Sequence, residues 1–121
     1  MLPRDSSRMI RPDEKTARDD VEAVLQQTRA EFVSGFGAAC TAMSRLIDAS
    51  SSDTSGASRR ELEYLVHRMS GLAGTIGFPT VSLRARELED LVRDTPDQFD
   101  VSRAHRLLDA VQLGFEQDTP A

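Results

Sequence analysis

The sequence predicts an all-α protein, an antiparallel four-helix bundle with an additional short N-terminal helix. Apolar residues recur at helical spacing, as in the series Phe32, Phe36, Ala39 and Met43. No segment alternates apolar and polar residues in the way that a half-buried strand would. Short stretches rich in serine, proline or glycine separate the helical patterns, and short connections favour antiparallel neighbours.

The N-terminal region is predicted to contain a tail and two helices. Residues 1–11 are polar and contain proline, so we expect a flexible tail followed by a helical domain over residues 12–118. The short first helix begins near Pro12, because proline suits the first turn of a helix. We expect the second helix to span Arg29 to Ala49.

The boundaries of the later helices follow from capping signals. Ser58 and Glu61 have the spacing of a capping box, which predicts the start of a helix there. That helix should end near Gly77, and Pro79 suits the first turn of the next one. The last helix is expected to start near Asp100.

Composition excludes several classes of function. The chain has 121 residues and a net charge of −5, and Lys15 is its only lysine, so nucleic acid is a poor partner. No glycine-rich phosphate loop is present, which argues against an ATP site of its own. Two histidines and one cysteine offer no convincing metal set, and we expect neither metal nor cofactor. Cys40 falls on an apolar helix face and is expected to be a buried small hydrophobe.

The sequence also predicts where the protein works. No apolar run approaches the length that crosses a bilayer, and the N-terminus lacks the apolar core of a secretory signal. We therefore expect a cytoplasmic protein with no membrane partner. We also expect a monomer, because one bundle can bury all the apolar stripes.

His67 is the most informative residue, because it lies on the wrong face of its helix to be a core residue. It points about 160° away from the centre of the apolar stripe formed by residues such as Val66 and Met69. Gly71 and Gly74 follow on the same side, although each interior glycine costs a helix about 1 kcal/mol relative to alanine. Bare backbone beside an exposed imidazole indicates that a large partner approaches the ring.

The segment from His67 to Leu91 resembles the histidine-containing phosphotransfer (HPt) domain family of bacterial signalling. The family pattern is histidine, any residue, an aliphatic residue, lysine and glycine, then small residues and a further glycine. The run Ala73-Gly74-Thr75-Ile76-Gly77-Phe78 is especially similar to the equivalent domain of chemotaxis histidine kinases. Arg86-Glu87-Leu88-Glu89 matches the family's following helix.

The resemblance implies a four-helix bundle that carries one phosphorylatable histidine, His67, and has no ATP site. Such a protein accepts a phosphoryl group from the aspartyl phosphate of a receiver domain, or from a sensor or hybrid histidine kinase. It then passes the group to the receiver domain of a response regulator. Glu89 aligns with a carboxylate or amide that hydrogen-bonds the imidazole, so we expect Nδ1–H to donate to Glu89 while Nε2 attacks.

Ser70 departs from the family pattern, which usually has lysine at that position to balance phosphoryl charge. Either the transfer is weaker, or an arginine on the next helix, Arg86 or Arg93, takes over the role. Tyr64, one turn before His67, could form part of an apolar docking patch. The predicted binding residues are therefore Tyr64, Arg68, Ser70, Gly71, Gly74, Arg86 and Arg93.

Two other functions remain open on the sequence alone. The bundle could scaffold or inhibit two-component signalling proteins without carrying phosphate, which the serine at position 70 favours. It could also be a plain helical oligomerisation module, which would expose a large apolar face.

Overall fold

The computed structural model describes residues 12–94 and 99–119, and this part of the chain is all-helical, as predicted. It contains the helices α1 (Pro12–Ser50), α2 (Ala57–Ile76), α3 (Pro79–Asp94) and α4 (Val101–Asp118). The chain divides into two compact units, residues 1–34 and residues 35–121, and α1 contributes to both. None of these four helices combines the length and apolarity that crossing a lipid bilayer requires.

The N-terminal region differs from the prediction, because α1 is one continuous helix of 39 residues. A short helix from Pro12 and a second from Arg29 were expected, with a break between them. Residues 13–34 include no proline or glycine that would break a helix, and Gln27 Nε2 donates to Glu31 Oε1 at 3.2 Å along the helix. A gap in the apolar series was mistaken for a gap in the helix. The predicted tail, residues 1–11, lies outside the described residues.

Within the second unit, the end of α1 packs antiparallel to α4. The Phe36 and Phe115 rings stack with their centroids 3.9 Å apart. At the other end of the pair, His105 Nε2 and Asp48 Oδ1 are 2.8 Å apart. Phe36 thus contacts Phe115 near the end of α4, whereas the later residue Asp48 contacts His105 near the start of α4. The two helices therefore run antiparallel.

The other two helix pairs are antiparallel as well. Thr80 N–H, at the start of α3, donates to Asp118 Oδ2, at the end of α4, at 2.9 Å. Arg59 Nε, at the start of α2, donates to the Val92 carbonyl, near the end of α3, at 3.1 Å. The order of contacts α1–α4–α3–α2 sets α2 and α3 side by side, and the candidate site lies on this pair.

The core of the second unit is apolar, and each helix contributes a buried stripe. Cys40 is 2% exposed, as predicted, and burial raises the pKa of its thiol to about 11. A thiol held in that form is a poor nucleophile. The stripe members with the least exposure include Met43, Ile47, Leu62, Val66, Ile76, Val81, Leu88, Val92 and Val111.

The start of α2 corrects the capping-box prediction. Gly56 occupies the N-cap position with φ 78° and has no side chain to cap the helix. Ser58 lies inside the helix, and both its N–H and its hydroxyl donate to Asp53 Oδ2 at 2.9 Å. Ser55 donates its N–H and hydroxyl to the other oxygen of Asp53, so the loop carboxylate serves the helix start. The spacing of Ser58 and Glu61 could not predict that the preceding loop folds back and brings Asp53 to the start of the helix.

The other boundaries are close to the predicted ones. Gly77 adopts φ 91° after the last residue of α2, and its N–H donates to the Ala73 carbonyl. Pro79 begins α3 immediately afterwards, which turns the chain back along α2. Asp100 caps α4 by accepting from the Arg103 N–H at 2.9 Å. The sequence Thr95-Pro96-Asp97 predicts a break between α3 and α4, and these residues lie outside the described ones.

Candidate functional site

The candidate site is built around His67, in the middle of α2. Its neighbours Val66 and Met69 face the core and are 0% and 6% exposed. Because the helical period turns the next residue away from that face, the His67 side chain is 71% exposed. One face of α2 therefore packs on the core, and the opposite face presents the imidazole to an approaching molecule.

One nitrogen of the ring is held by a buried carboxylate. His67 Nδ1 lies 2.6 Å from Oε2 of Glu89, which α3 supplies and whose side chain is only 6% exposed. An ionised carboxylate only accepts hydrogen bonds, so Nδ1 is the donor. In the neutral ring, that assignment leaves the lone pair on Nε2. Among the described residues, no group is bonded to Nε2, which lies on the other side of the ring from Glu89.

A guanidinium completes the arrangement. Arg93, one turn after Glu89 on α3, donates from an Nη atom to the same Oε2 at 2.5 Å. Its Nε lies 3.6 Å from Oε2 of Glu63 on α2. Arg93 therefore bridges a buried carboxylate and a half-exposed one.

These side chains line an open cleft of about 500 Å³ over α2 and α3. Its lining residues are Arg60, Glu63, Tyr64, His67, Glu89 and Arg93. Two arginines and two glutamates balance one another formally, and the exposed imidazole stands among them. A cleft of this kind can admit a small anionic group to Nε2.

A family model described as the Hpt domain matches residues 15–114. The chain belongs to the Hpt domain family. Membership implies phosphotransfer in a two-component phosphorelay and interaction with receiver domains and histidine kinases. The searches of curated proteins and of solved structures gave no match.

The structure of this Hpt domain brings together several of the residues that the sequence singled out. His67, Glu89, Arg93 and Tyr64 all line the same cleft, and Tyr64 is 61% exposed. Arg68 and Arg86 are exposed but are not among the lining residues. Of the two arginines considered as replacements for the family's lysine, only Arg93 is bonded to the Glu89 carboxylate.

Ser70 is buried, although the sequence analysis counted it among the exposed binding residues. It is 3% exposed, and its hydroxyl donates to the Ser82 carbonyl at 3.2 Å. The Ser82 hydroxyl donates in return to the Ser70 carbonyl at 2.8 Å. This reciprocal pair ties α2 to α3 beneath the surface, so a small polar residue is needed there for packing.

The two glycines after His67 differ from each other. A Cβ at Gly71 would meet nothing within 4 Å, so this position is open to a partner, as expected. A Cβ at Gly74 would lie 3.2 Å from the Ser82 hydroxyl oxygen. A Cβ at Gly74 would therefore crowd α3, although Gly74 itself is exposed.

Sequence analysis missed two residues of the cleft. Neither Arg60 nor Glu63 was among the predicted binding residues, and the pair Arg59-Arg60 reads in the sequence as a solvated first turn. Both lie on the His67 face of α2: Glu63 is four positions and Arg60 seven positions earlier in the chain, which is the spacing of one and two helical turns. That spacing could have found them, but nothing in the sequence marked them as facing Arg93.

Among the residues that the structure describes, no group of three or more histidine, cysteine, aspartate or glutamate side chains is placed to hold a metal ion. The second histidine, His105, is bonded to Asp48 and lies away from the cleft lining. Its position outside the cleft makes His105 a matched control for His67.

Proposed function

We propose that this Hpt domain carries a phosphoryl group on Nε2 of His67. It accepts the group from the aspartyl phosphate of a receiver domain, or from a kinase, and passes it to a response-regulator receiver. The observation that carries the proposal is the 2.6 Å bond between Nδ1 and the buried Glu89 carboxylate on a ring that is 71% exposed. That bond turns the lone pair of Nε2 toward solvent.

The transfer needs no base within this domain. The Nε2 lone pair attacks phosphorus, a P–N bond forms, and the P–O bond to the aspartyl carboxylate breaks. The bonding electrons leave with the carboxylate, while Nδ1 keeps its proton throughout. The ring gains positive charge as the bond forms, and the Glu89 carboxylate stabilises that charge. The reverse sequence at a second receiver aspartate returns the ring to its neutral state.

Arg93 is the proposed source of positive charge near the phosphoryl group. Most of the acceleration in phosphoryl transfer comes from positioning and charge neutralisation. Position 70 supplies no cation, since the Ser70 hydroxyl is uncharged, and the residue is buried as well. Arg93 lines the same cleft as His67 and shares the Glu89 oxygen with the imidazole, so its guanidinium is close to the reacting ring.

The two histidines of the chain allow a matched test. A phosphorylated receiver, labelled on phosphorus, is mixed with the wild type, His67→Gln and His105→Gln, and label on the domain is measured over time. We expect labelling of the wild type and of His105→Gln and no labelling of His67→Gln. Equal labelling of all three proteins would overturn the assignment of His67.

The non-phosphorylated scaffold is the second candidate, and the same variants separate it from the carrier. A scaffold needs the surface around His67 but not its nucleophile. Signalling that persists undiminished in cells carrying His67→Gln would therefore favour the scaffold. The orientation of Nδ1 toward a buried acceptor supports the carrier, because a docking surface has no need of a defined tautomer.

We also propose that the carrier acts in the cytoplasm as a monomer. The residues of the second unit bury their apolar stripes against one another, which supports a bundle that is complete in one chain. Light scattering across a range of protein concentrations tests the monomer, and an obligate dimer would contradict it.

A further inference from the structure

Arg93 contacts two carboxylates, and the two contacts differ in strength. Its Nη donates to Glu89 at 2.5 Å, and that carboxylate is buried. Its Nε is 3.6 Å from Glu63, whose side chain is 40% exposed. The inner contact is a short charge-assisted hydrogen bond, and the outer one is a loose ion pair. The outer contact is therefore the one that a competing anion can displace.

The phosphoryl group of the proposed function is such an anion. When it is bonded to Nε2, it enters the cleft that both Arg93 and Glu63 line. Arginine has five N–H donors in a planar fork, so it can keep its bond to Glu89 while other donors turn to phosphoryl oxygens. Glu63 opposes this in two ways, because it attracts the guanidinium and repels the incoming negative charge.

We propose that Glu63 is an internal competitor for Arg93. Before transfer, it holds the outer side of the guanidinium and balances its charge. During transfer, it releases Arg93 to the phosphoryl group. Glu63 is thus a positioning residue that lowers the rate of phosphorylation, and this inference rests on the proposed function of His67.

The expected effect is small, because the pair between Glu63 and Arg93 is partly exposed. Exposed ion pairs contribute little free energy, and removing this one should raise the rate constant for phosphorylation by about two- to fivefold. Glutamine keeps the shape of glutamate without its charge, so Glu63→Gln is the conservative change.

The experiment compares four proteins: the wild type, Glu63→Gln, Arg93→Gln and the double variant. Phosphorylation of His67 is followed with phosphoramidate, a small donor that needs no docking surface, and separately with a phosphorylated receiver. We expect Glu63→Gln to be about two- to fivefold faster than the wild type with both donors. We expect Arg93→Gln to be about tenfold slower or more, and Arg93→Lys to recover part of the rate because it restores the charge.

The double variant decides the mechanism. If Glu63 acts by holding Arg93, then Glu63→Gln should lose most of its gain when Arg93 is already glutamine. An undiminished gain in that background would overturn the proposal, since it would mean that Glu63 acts only through its own charge. A Glu63→Gln rate equal to or below that of the wild type would overturn it as well.

Two controls keep the outcome specific. Glu61→Gln removes the same charge from an exposed position on α2 outside the cleft, and it should leave the rate unchanged. The NMR signal of the Arg93 Nε–H should shift in Glu63→Gln before any phosphorylation, and an unmoved signal would contradict the outer contact.

Labelling that survives in His67→Gln, or no labelling of the wild type by either donor, would overturn the proposed function itself. Labelling that depends on His67 but is not raised in Glu63→Gln would overturn only the role of Glu63.

Discussion

The two histidines of this Hpt domain both pair with a carboxylate, yet the two pairs are built in opposite ways. In the pair on α2 and α3, the His67 ring is 71% exposed and the Glu89 side chain is 6% exposed. In the pair on α1 and α4, the His105 ring is 34% exposed and the Asp48 side chain is 68% exposed. The first pair anchors a carboxylate and presents a ring, whereas the second leaves the carboxylate in water.

The nitrogen that is bonded differs as well. His67 uses Nδ1, which leaves the outer nitrogen Nε2 available, but His105 uses Nε2 itself at 2.8 Å from Asp48. Because a histidine beside a carboxylate occurs twice among the described residues, that pairing alone does not single out His67. The burial of the acceptor and the choice of nitrogen distinguish the candidate site from an ordinary surface pair.

The largest expected effect comes from removing the Glu89 carboxylate. We expect Glu89→Ala to slow phosphorylation of His67 by about 10- to 100-fold, because the ring loses the partner that sets its orientation and tautomer. Glu89→Gln should be milder, since its amide oxygen can still accept from Nδ1. Single-turnover transfer from a phosphorylated receiver measures both variants.

Asp48→Ala is the matched control for that experiment, because Asp48 is the carboxylate of the other pair. It should change the transfer rate by less than about twofold, as expected for a surface contact outside the cleft. Comparable losses in Glu89→Ala and Asp48→Ala would show that the burial of the acceptor does not distinguish the two pairs.

A smaller effect should separate the two glycines that follow His67. Gly71→Ala should stabilise the domain by up to about 1 kcal/mol in urea unfolding, because alanine favours the helix and the new Cβ meets nothing. Gly74→Ala should gain less, because its Cβ would lie 3.2 Å from the Ser82 hydroxyl oxygen. Circular dichroism would follow both transitions.

The same glycine variants also test the docking face. Gly71→Ala should slow transfer from a receiver by about fivefold through crowding at the interface, while phosphoramidate should label it at the rate of the wild type. Equal rates with the receiver would indicate that the docked partner does not reach position 71.

The smallest expected effect concerns Asp53, a surface carboxylate that is nevertheless well bonded. The hydroxyl and N–H groups of Ser55 and Ser58 hold the pKa of Asp53 well below its usual range, with the Ser55 hydroxyl as the largest cause. Because the folded-state pKa is the lower one, this stabilisation is complete above the ordinary aspartate pKa, near 4. It should be lost as the pH falls from there toward the folded value.

Thermal unfolding of the wild type and Asp53→Asn between pH 7 and pH 2.5 checks this expectation. The wild type should be the more stable protein at pH 7, and the difference should shrink as the solution becomes acidic. A difference in Tm that stays constant over that range would show that the charge of Asp53 does not support the start of α2.

Features within a single helix were predicted more accurately from the sequence than contacts between helices. Helical periodicity is a local property, and it correctly turned Val66 inward and His67 outward. Local backbone signals likewise placed the turn at Gly77 and Pro79 and the cap at Asp100. Glu89 was expected opposite the ring because of the family resemblance and because it flanks the buried stripe of its helix.

Where prediction failed, a contact between distant residues decided the outcome. Ser70 was assigned to the surface, but the approach of α3 buries it against Ser82. Asp53 replaced Ser58 as the acceptor at the start of α2 because the loop folds back on the helix. The break expected before Arg29 was wrong for a different reason, since a helix can continue through polar residues that bury nothing.

The amino-acid sequence by itself determined the class of the protein, most helix boundaries and the outward face that carries His67, because these depend on residues within one or two turns of each other. Only the tertiary structure decided that Glu89 reaches Nδ1 and that Arg93 lies between Glu89 and Glu63. Those contacts depend on the register and spacing of α2 and α3, which packing of the whole core sets.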